Sequence, residues 1–291
     1  LWDHGAGASE GVCYDELTDD SLNMAEIYEA FNDVSALSDY RKFAMVGFDA
    51  CLMADYEMAV HLQPFADYMI ASEETEPGEG WNYGSWLPTL AKNPAADTLE
   101  VCRQIVDGFM TSVNEAGYGE FGTLSVLDLS KMDTLRAAVE QMGTSLSTAV
   151  DSGSFNDVSR ARKRLPSFGE TDDAASDMID LGVFAEAFAT FDAEGAAALT
   201  AALADVVVIS RHTDNLSGIS GLAVLVPYET RSLADEYLSV YDTRNLMPAY
   251  TGFVKGFVAT MQSGSHTFAS TATMQESVAD AAADWNEQYA G

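Results

Sequence analysis

Basic residues are scarce in this 291-residue chain: 14 Lys and Arg stand against 46 Asp and Glu, a formal charge of −32. Binding phosphate needs basic patches, so this balance argues against nucleic acid as a partner. It argues equally against docking on anionic lipid. The field it creates attracts cationic peptides or divalent cations, and it also serves solubility or salt tolerance. Cysteine is scarce too. Cys13, Cys51 and Cys102 are the only three, an odd and sparse set that makes no disulfide framework. No Cys-x-x-Cys or His-x-x-x-His spacing occurs, so a structural zinc site is not expected. No apolar run reaches the roughly 18 residues of a membrane-spanning helix. The start, Leu1-Trp2-Asp3-His4, lacks the basic and apolar regions of a signal peptide. Leu1 and Trp2 read as the last two residues of a strand, so the N-terminal strands of its sheet are expected to be missing from this chain.

What is present is apolar mass, 47% of the residues, enough for a large core. Residues 23–34 have helical spacing, with Ser21 as a possible cap before Glu26. Residues 43–50 (FAMVGFDA) form a short apolar run, as expected of a strand buried on both faces. A helix is expected over 52–62 and a strand over 67–72. The alternation predicts an α/β fold with a mainly parallel sheet flanked by helices. The stretch from Glu73 to Tyr83, broken by Pro77, Gly78 and Gly80, is a loop. Helices near 84–92 and 97–115 and a strand near 122–129 follow. Beyond about residue 130 the pattern turns helical, over 131–150, 156–165, 174–192, 194–204 and 248–262. Strands at 205–210 and 221–227 interrupt it. The division expected is a truncated catalytic α/β core over 1–130 and a mostly helical part over 131–291 packed on it. The tail after 263 reads as a loose run and a short acidic helix.

Two strand ends carry chemistry. His4 ends one, directly before Gly5-Ala6-Gly7. Cys51 ends another, in Gly47-Phe48-Asp49-Ala50-Cys51, at the mouth of the expected helix. Ligands of open α/β sheets bind beyond the carboxyl ends of strands. A thiol at a helix N-terminus is biased toward thiolate. An imidazole nearby can take its proton or protonate a leaving amine. Gly5 has no side chain to block a substrate, so its N–H and that of Cys51 could form an oxyanion hole. Taken singly, a strand-end Cys is more often a packed thiol, and a His before Gly a turn residue.

His4-Gly5-Ala6-Gly7 and Asp49-Ala50-Cys51 resemble the His-Gly and Asp-Ala-Cys motifs of the clostripain family, which shares a caspase-like α/β fold with caspases, legumain and gingipains. The likeness continues through Ala71-Ser72-Glu73-Glu74-Thr75-Glu76-Pro77-Gly78-Glu79-Gly80-Trp81-Asn82-Tyr83, then Asp180-Leu181-Gly182-Val183-Phe184-Ala185 and Ser220–Tyr228. The resemblance implies His4 as general acid/base and Cys51 as nucleophile, acting through a thioester acyl-enzyme. It implies cleavage of peptide or protein substrates after Arg or Lys. Asp49 matches the pocket acid, though alone it also suits a helix cap. Glu79 is the candidate second acid, with Glu76 behind it. Ser72 and Trp81 join them as substrate-binding candidates, Trp81 with Tyr83 being either a pocket wall or an anchor of the loop. No cofactor is implied for the chemistry, Ca²⁺ is possible, and the habit of the family is bacterial and secreted or cell-surface. The chain's own upstream N-terminal segment is a possible partner.

Two readings stand beside this one. The first is a catalytically silent binding protein on the same scaffold. The second keeps the dyad with non-basic specificity, against which Asp49 weighs for acidic residues. The run Arg160-Ala161-Arg162-Lys163-Arg164 is either a helix face paired with acids or a self-cleavage site. Cys13 borders the His4 loop as an incidental thiol, and Cys102 belongs to the core.

Overall fold

The computed structural model describes residues 1–15, 17–37, 39–117, 122–169, 176–228, 238 and 244–263. The expected 263-onward tail therefore lies outside the described residues. The chain starts extended. Trp2 bridges Asp49 in parallel, and the Asp49 N–H donates to the Leu1 carbonyl at 2.9 Å. A helical turn, α1 (Gly7–Glu10), leads to a small antiparallel pair, β1 (Val12–Asp15) and β2 (Asp20–Leu22). Helix α2 (Met24–Ser35) is capped by Asn23, not Ser21, because a capping box needs three residues between cap and acid. Asn23 and Glu26 satisfy it in both directions.

Strand β3 (Phe43–Gly47), helix α3 (Tyr56–Leu62) and strand β4 (Ala66–Ala71) form a right-sized crossover, and β3 and β4 pair in parallel. Helices α4 (Tyr83–Lys92) and α5 (Thr98–Ala116) come next. Asp97 caps α5, and Gly117 ends it in a left-handed conformation at φ 78°. Strand β5 (Thr123–Asp128) pairs antiparallel to β4. The sheet is thus mixed rather than mainly parallel, and the connection explains it. One helix returns the chain to its starting end, whereas α4 and α5 run antiparallel, Thr89 bonding Gln104 and Ser85 lying against Gly108. That second reversal delivers β5 from the far end.

Beyond β5 come α6 (Met132–Ala149) and α7 (Phe155–Lys163). The expected helix over 174–192 is instead a buried strand, β6 (Met178–Asp180), then α8 (Leu181–Phe188), which Asp180 caps through the Val183 N–H at 2.7 Å. Helix α9 (Ala193–Val206) runs into β7 (Val207–His212), which pairs with β5. Strand β8 (Ala223–Leu225) pairs with β6, and α10 (Pro248–Ser263) closes the described chain. The main sheet has the order β3-β4-β5-β7, so its last strand comes from beyond residue 130. Residues 1–258 form one compact unit; of the other, 259–291, the described residues complete α10.

One face of the sheet packs on α4 and α5 through Ile70, Trp81, Ile105, Phe109, Leu124 and Val126. Phe43 at the start of β3 is 40% exposed, while Met69 and Ile70 in β4 are fully buried. The expected strand buried on both faces is thus a described edge, bordered on its free side by Leu1 and Trp2 near its end.

The basic run on α7 resolves into one buried clamp. Arg162 is 2% exposed and pairs with the fully buried Asp177 at 2.8 Å. It also donates to the Val226 carbonyl at 2.8 Å and to Ser167 and the Leu165 carbonyl at 3.2 Å. Such a residue ties α7 to the segments before β6 and after β8; it is closed to a protease in the folded chain.

Candidate active site

The C-terminal end of β3 continues through Phe48, whose N–H donates to the Ile70 carbonyl, to Asp49 beside Trp2. The chain then turns sharply at Ala50–Leu52, Leu52 taking φ 65°. Cys51 sits in this turn, partly buried, and its Sγ accepts the Glu76 N–H at 3.1 Å. Cys51 is therefore not at a helix N-terminus, as the apolar Leu52-Met53 suggested. The Leu52 N–H goes to the Glu74 carbonyl and the Ala54 N–H to the Ser72 carbonyl. Residues 51–54 are held by the β4–α4 loop, and α3 starts only after Asp55, which caps it through the Met58 N–H.

The His4 loop meets this turn directly. A Cβ on Gly5 would lie 2.4 Å from the Cys51 carbonyl oxygen and 3.0 Å from the Ala50 Cβ, so only glycine fits. His4 is exposed; its N–H binds Asp3 Oδ1 at 2.7 Å and its carbonyl accepts the Cys13 N–H at 2.8 Å. The structure thus places His4 and Cys51 on contacting loops, with Gly5 at the seam. Cys13 borders the site in a left-handed conformation, φ 62°, its thiol pKa raised by burial and then by the Asp3 charge. Cys102 lies in the core, its thiol pushed up to about 12 by burial.

Asp49 is 4% exposed. The Trp81 N–H donates to both of its oxygens, at 3.0 and 3.1 Å, and the Tyr83 hydroxyl to Oδ2 at 2.8 Å. It does not cap α3. Gly80, at φ 64°, lets the loop fold onto it: a Cβ there would stand 2.8 Å from Asp49 Oδ1. Asp49 lines a cavity of about 250 Å³ together with Trp2, Gly47, Trp81, Tyr83 and Trp86. Trp81 is 7% exposed and packs on Gly47, so it anchors the loop as well as walling the cavity.

The other loop candidates separate. Glu79 lies exposed at the loop tip. Glu76 is the acid that faces Asp49: its carboxyl oxygens are closed off from solvent, without a hydrogen bond of ordinary geometry. Burial, and next the Asp49 charge, push its pKa well up. Ser72 is corrected outright as a substrate contact. It is fully buried, its hydroxyl donating to the Glu74 carbonyl at 2.8 Å and paired with Thr123 Oγ1 at 2.7 Å. That hydroxyl pair also receives the Glu73 and Glu74 N–H groups, so Ser72 fixes the root of the loop. Among the residues missed at the sequence level is Tyr83 as a ligand of Asp49; nothing in the spacing distinguishes it from an anchor. Another is Asp180, which caps α8 and faces the buried Glu73, whose pKa burial and then Asp180 push well up. Among the described residues, no group of three or more His, Cys, Asp and Glu could hold a metal ion.

The fold and site define a class: an α/β protein that presents a thiol and a His-Gly turn on adjoining loops, beside a buried acid, at one end of a parallel strand pair. The clostripain family model (peptidase C11) matches residues 1–246, and the chain belongs to that family of cysteine peptidases, which are hydrolases. An inactive zymogen C11 protease from Parabacteroides distasonis is 19% identical, with a TM-score of 0.58, over 87% of this chain and 68% of that one. A secreted C11 cysteine protease from Bacteroides thetaiotaomicron, solved with an irreversible peptide inhibitor, is 18% identical at a TM-score of 0.60, over 87% and 70%. A B. fragilis cysteine protease is 17% identical at a TM-score of 0.56, over 83% and 99%. At these identities the likeness establishes the shared fold. No curated protein matches the chain.

Proposed function

We propose that the chain is an endopeptidase that cleaves after Arg or Lys, with His4 and Cys51 as its dyad. The observation that carries the reading is the seam at Gly5, where the loop bearing His4 lies against the Cys51 carbonyl. In the reaction His4 takes the Cys51 proton, and the thiolate attacks the substrate carbonyl. The Gly5 and Cys51 N–H groups receive the oxyanion. His4 then protonates the leaving amine, and water, deprotonated by His4, hydrolyses the thioester. This chemistry requires no cofactor. A cationic side chain entering beside Asp49 would meet a carboxylate and the aromatic walls of Trp81, Tyr83 and Trp86, a setting suited to guanidinium. The net charge of −32 draws such substrates in. The secreted relative supports a secreted or surface location, and the chain's own upstream segment remains a proposed partner.

The test is a fluorogenic peptide panel varying the residue before the cut, run with and without Ca²⁺. Arg and Lys substrates are expected to exceed norleucine in kcat/KM by about 100-fold, which is about 2.7 kcal/mol. Cys51→Ala and thiol alkylation are expected to lower kcat by at least about 10³-fold. Full turnover by Cys51→Ala would remove the dyad; equal cleavage after norleucine would remove the basic specificity.

A further inference from the structure

We infer that Glu76, not the loop-tip Glu79, is the second acid of the Asp49 pocket, and that it holds a proton against Asp49 until a cationic side chain displaces it. The inference rests on the reading of Asp49 as the specificity acid.

Asp49 already has three donors in place, two from the Trp81 N–H and one from Tyr83, so it is solvated as an anion. Glu76 has the opposite surroundings. Its two oxygens are closed off from solvent and lack a hydrogen bond of ordinary geometry. The groups that face it are Asp49 and Cys51 from the β3–α3 turn and Trp81 and Tyr83 from its own loop and the start of α4. The indole Nε1 of Trp81 is the one donor in this set aimed at Glu76; the others are acidic groups. Among the described residues neither Asp49 nor Glu76 takes part in an ion pair. Two carboxyls facing each other in such a place cannot both ionise without a cation, and one proton between them is the usual resolution. The direction of the Glu76 shift, upward from burial and from Asp49, agrees.

An arriving guanidinium or ammonium supplies the missing charge. Glu76 then releases its proton to bulk solvent, and the pocket gains a second anionic oxygen acceptor. Binding of a basic ligand is thereby linked to proton release, and it tightens as pH rises toward the pKa of the pair. The Glu76 N–H also holds Cys51 Sγ at 3.1 Å, so the acid that reads the substrate sits one backbone step from the nucleophile.

The experiment is titration calorimetry of the full Cys51→Ala chain with acetyl-arginine amide, in two buffers of different ionisation heat at mildly acidic pH. Acetyl-norleucine amide is the neutral comparison. The expected result is about one proton released per arginine ligand and none with norleucine. Glu76→Gln added to this chain is expected to abolish the release and weaken the arginine ligand about tenfold. Glu79→Gln is expected to keep the release. Calorimetry on the chain with Glu76 intact tests the linkage even if the Gln variant folds poorly. Preferential arginine binding with no proton released overturns the inference and leaves the basic specificity standing. Proton release lost in Glu79→Gln but kept in Glu76→Gln moves the assignment to the loop tip and overturns it too. Equal binding of the two ligands overturns the specificity reading itself, and this inference with it.

Discussion

Two buried acids in this molecule lie in opposite settings. Asp177 is fully buried and has its cation built in: Arg162, 2% exposed, at 2.8 Å. The Tyr228 N–H binds its other oxygen at 2.7 Å. Asp49 is nearly as buried, yet its partners are a backbone N–H, a phenol and a second carboxyl. The first arrangement is internally neutral and joins three segments of chain. The second leaves negative charge facing a cavity of about 250 Å³. Buried charge that is neutralised by the protein holds the fold, while buried charge left without a cation is available to a ligand.

The largest effect that sharpens this comparison is expected from Arg162→Met. It keeps the bulk of the side chain and strands Asp177 without its cation. Chemical denaturation should show a loss of about 3–5 kcal/mol. A loss below about 1 kcal/mol would mean that the clamp is not what ties α7 to β6. The next effect is expected from Asp49→Asn. Asn can still accept from Trp81 and Tyr83, so the fold should hold its Tm within a few degrees. The KM for an arginine substrate should rise by about 10- to 100-fold, the size of a lost charge-assisted pair. If Asp49→Asn unfolds the chain and leaves KM unchanged, the two acids are structural alike and the contrast fails.

Much of this contrast was legible in the residues, and the part that was not has physical reasons. His4 and Cys51 were readable because each closes a strand next to small residues, and the Gly5 seam follows from that glycine. The start of α3 was not readable. Leu52 and Met53 have helical spacing, but Leu52 takes φ 65° and its N–H is drawn to the Glu74 carbonyl across the loop. That is a tertiary bond with no local signal. The same holds for Glu76 and Glu79. They are three residues apart on one loop, and only the left-handed Gly80 decides which acid turns inward. Ser72 looked like a ligand because it is a hydroxyl beside the loop; its partner Thr123 is 51 positions away. The sheet direction was half legible, since the two helices α4 and α5 were visible but their antiparallel packing was not used.

The smallest expected effect separates the two kinds of acid by pH. Burial, followed by a neighbouring acid in each case, raises the pKa of Asp55, Glu73 and Glu76 well above the usual carboxylate value. The Arg162-paired Asp177 is of the other kind. For the raised group the folded chain holds protons that the unfolded chain gives up above about pH 4. Its stabilisation is complete below that unfolded value and is lost as pH rises through the folded one. Each such proton costs up to about 1.4 kcal/mol per pH unit within that window. Tm is therefore expected to fall from about pH 4.5 upward. Self-repulsion of a chain at −32 has the same sign, but salt screens it. Glu73→Gln distinguishes the two causes, because Glu73 is fully buried and next to Asp180. The Gln variant mimics the protonated acid, so it should match the parent near pH 4, exceed it in Tm at pH 7, and flatten the slope by one proton in high salt. A parallel pair of Tm–pH curves would show that Glu73 stays ionised in the fold and would move it to the side of Asp177.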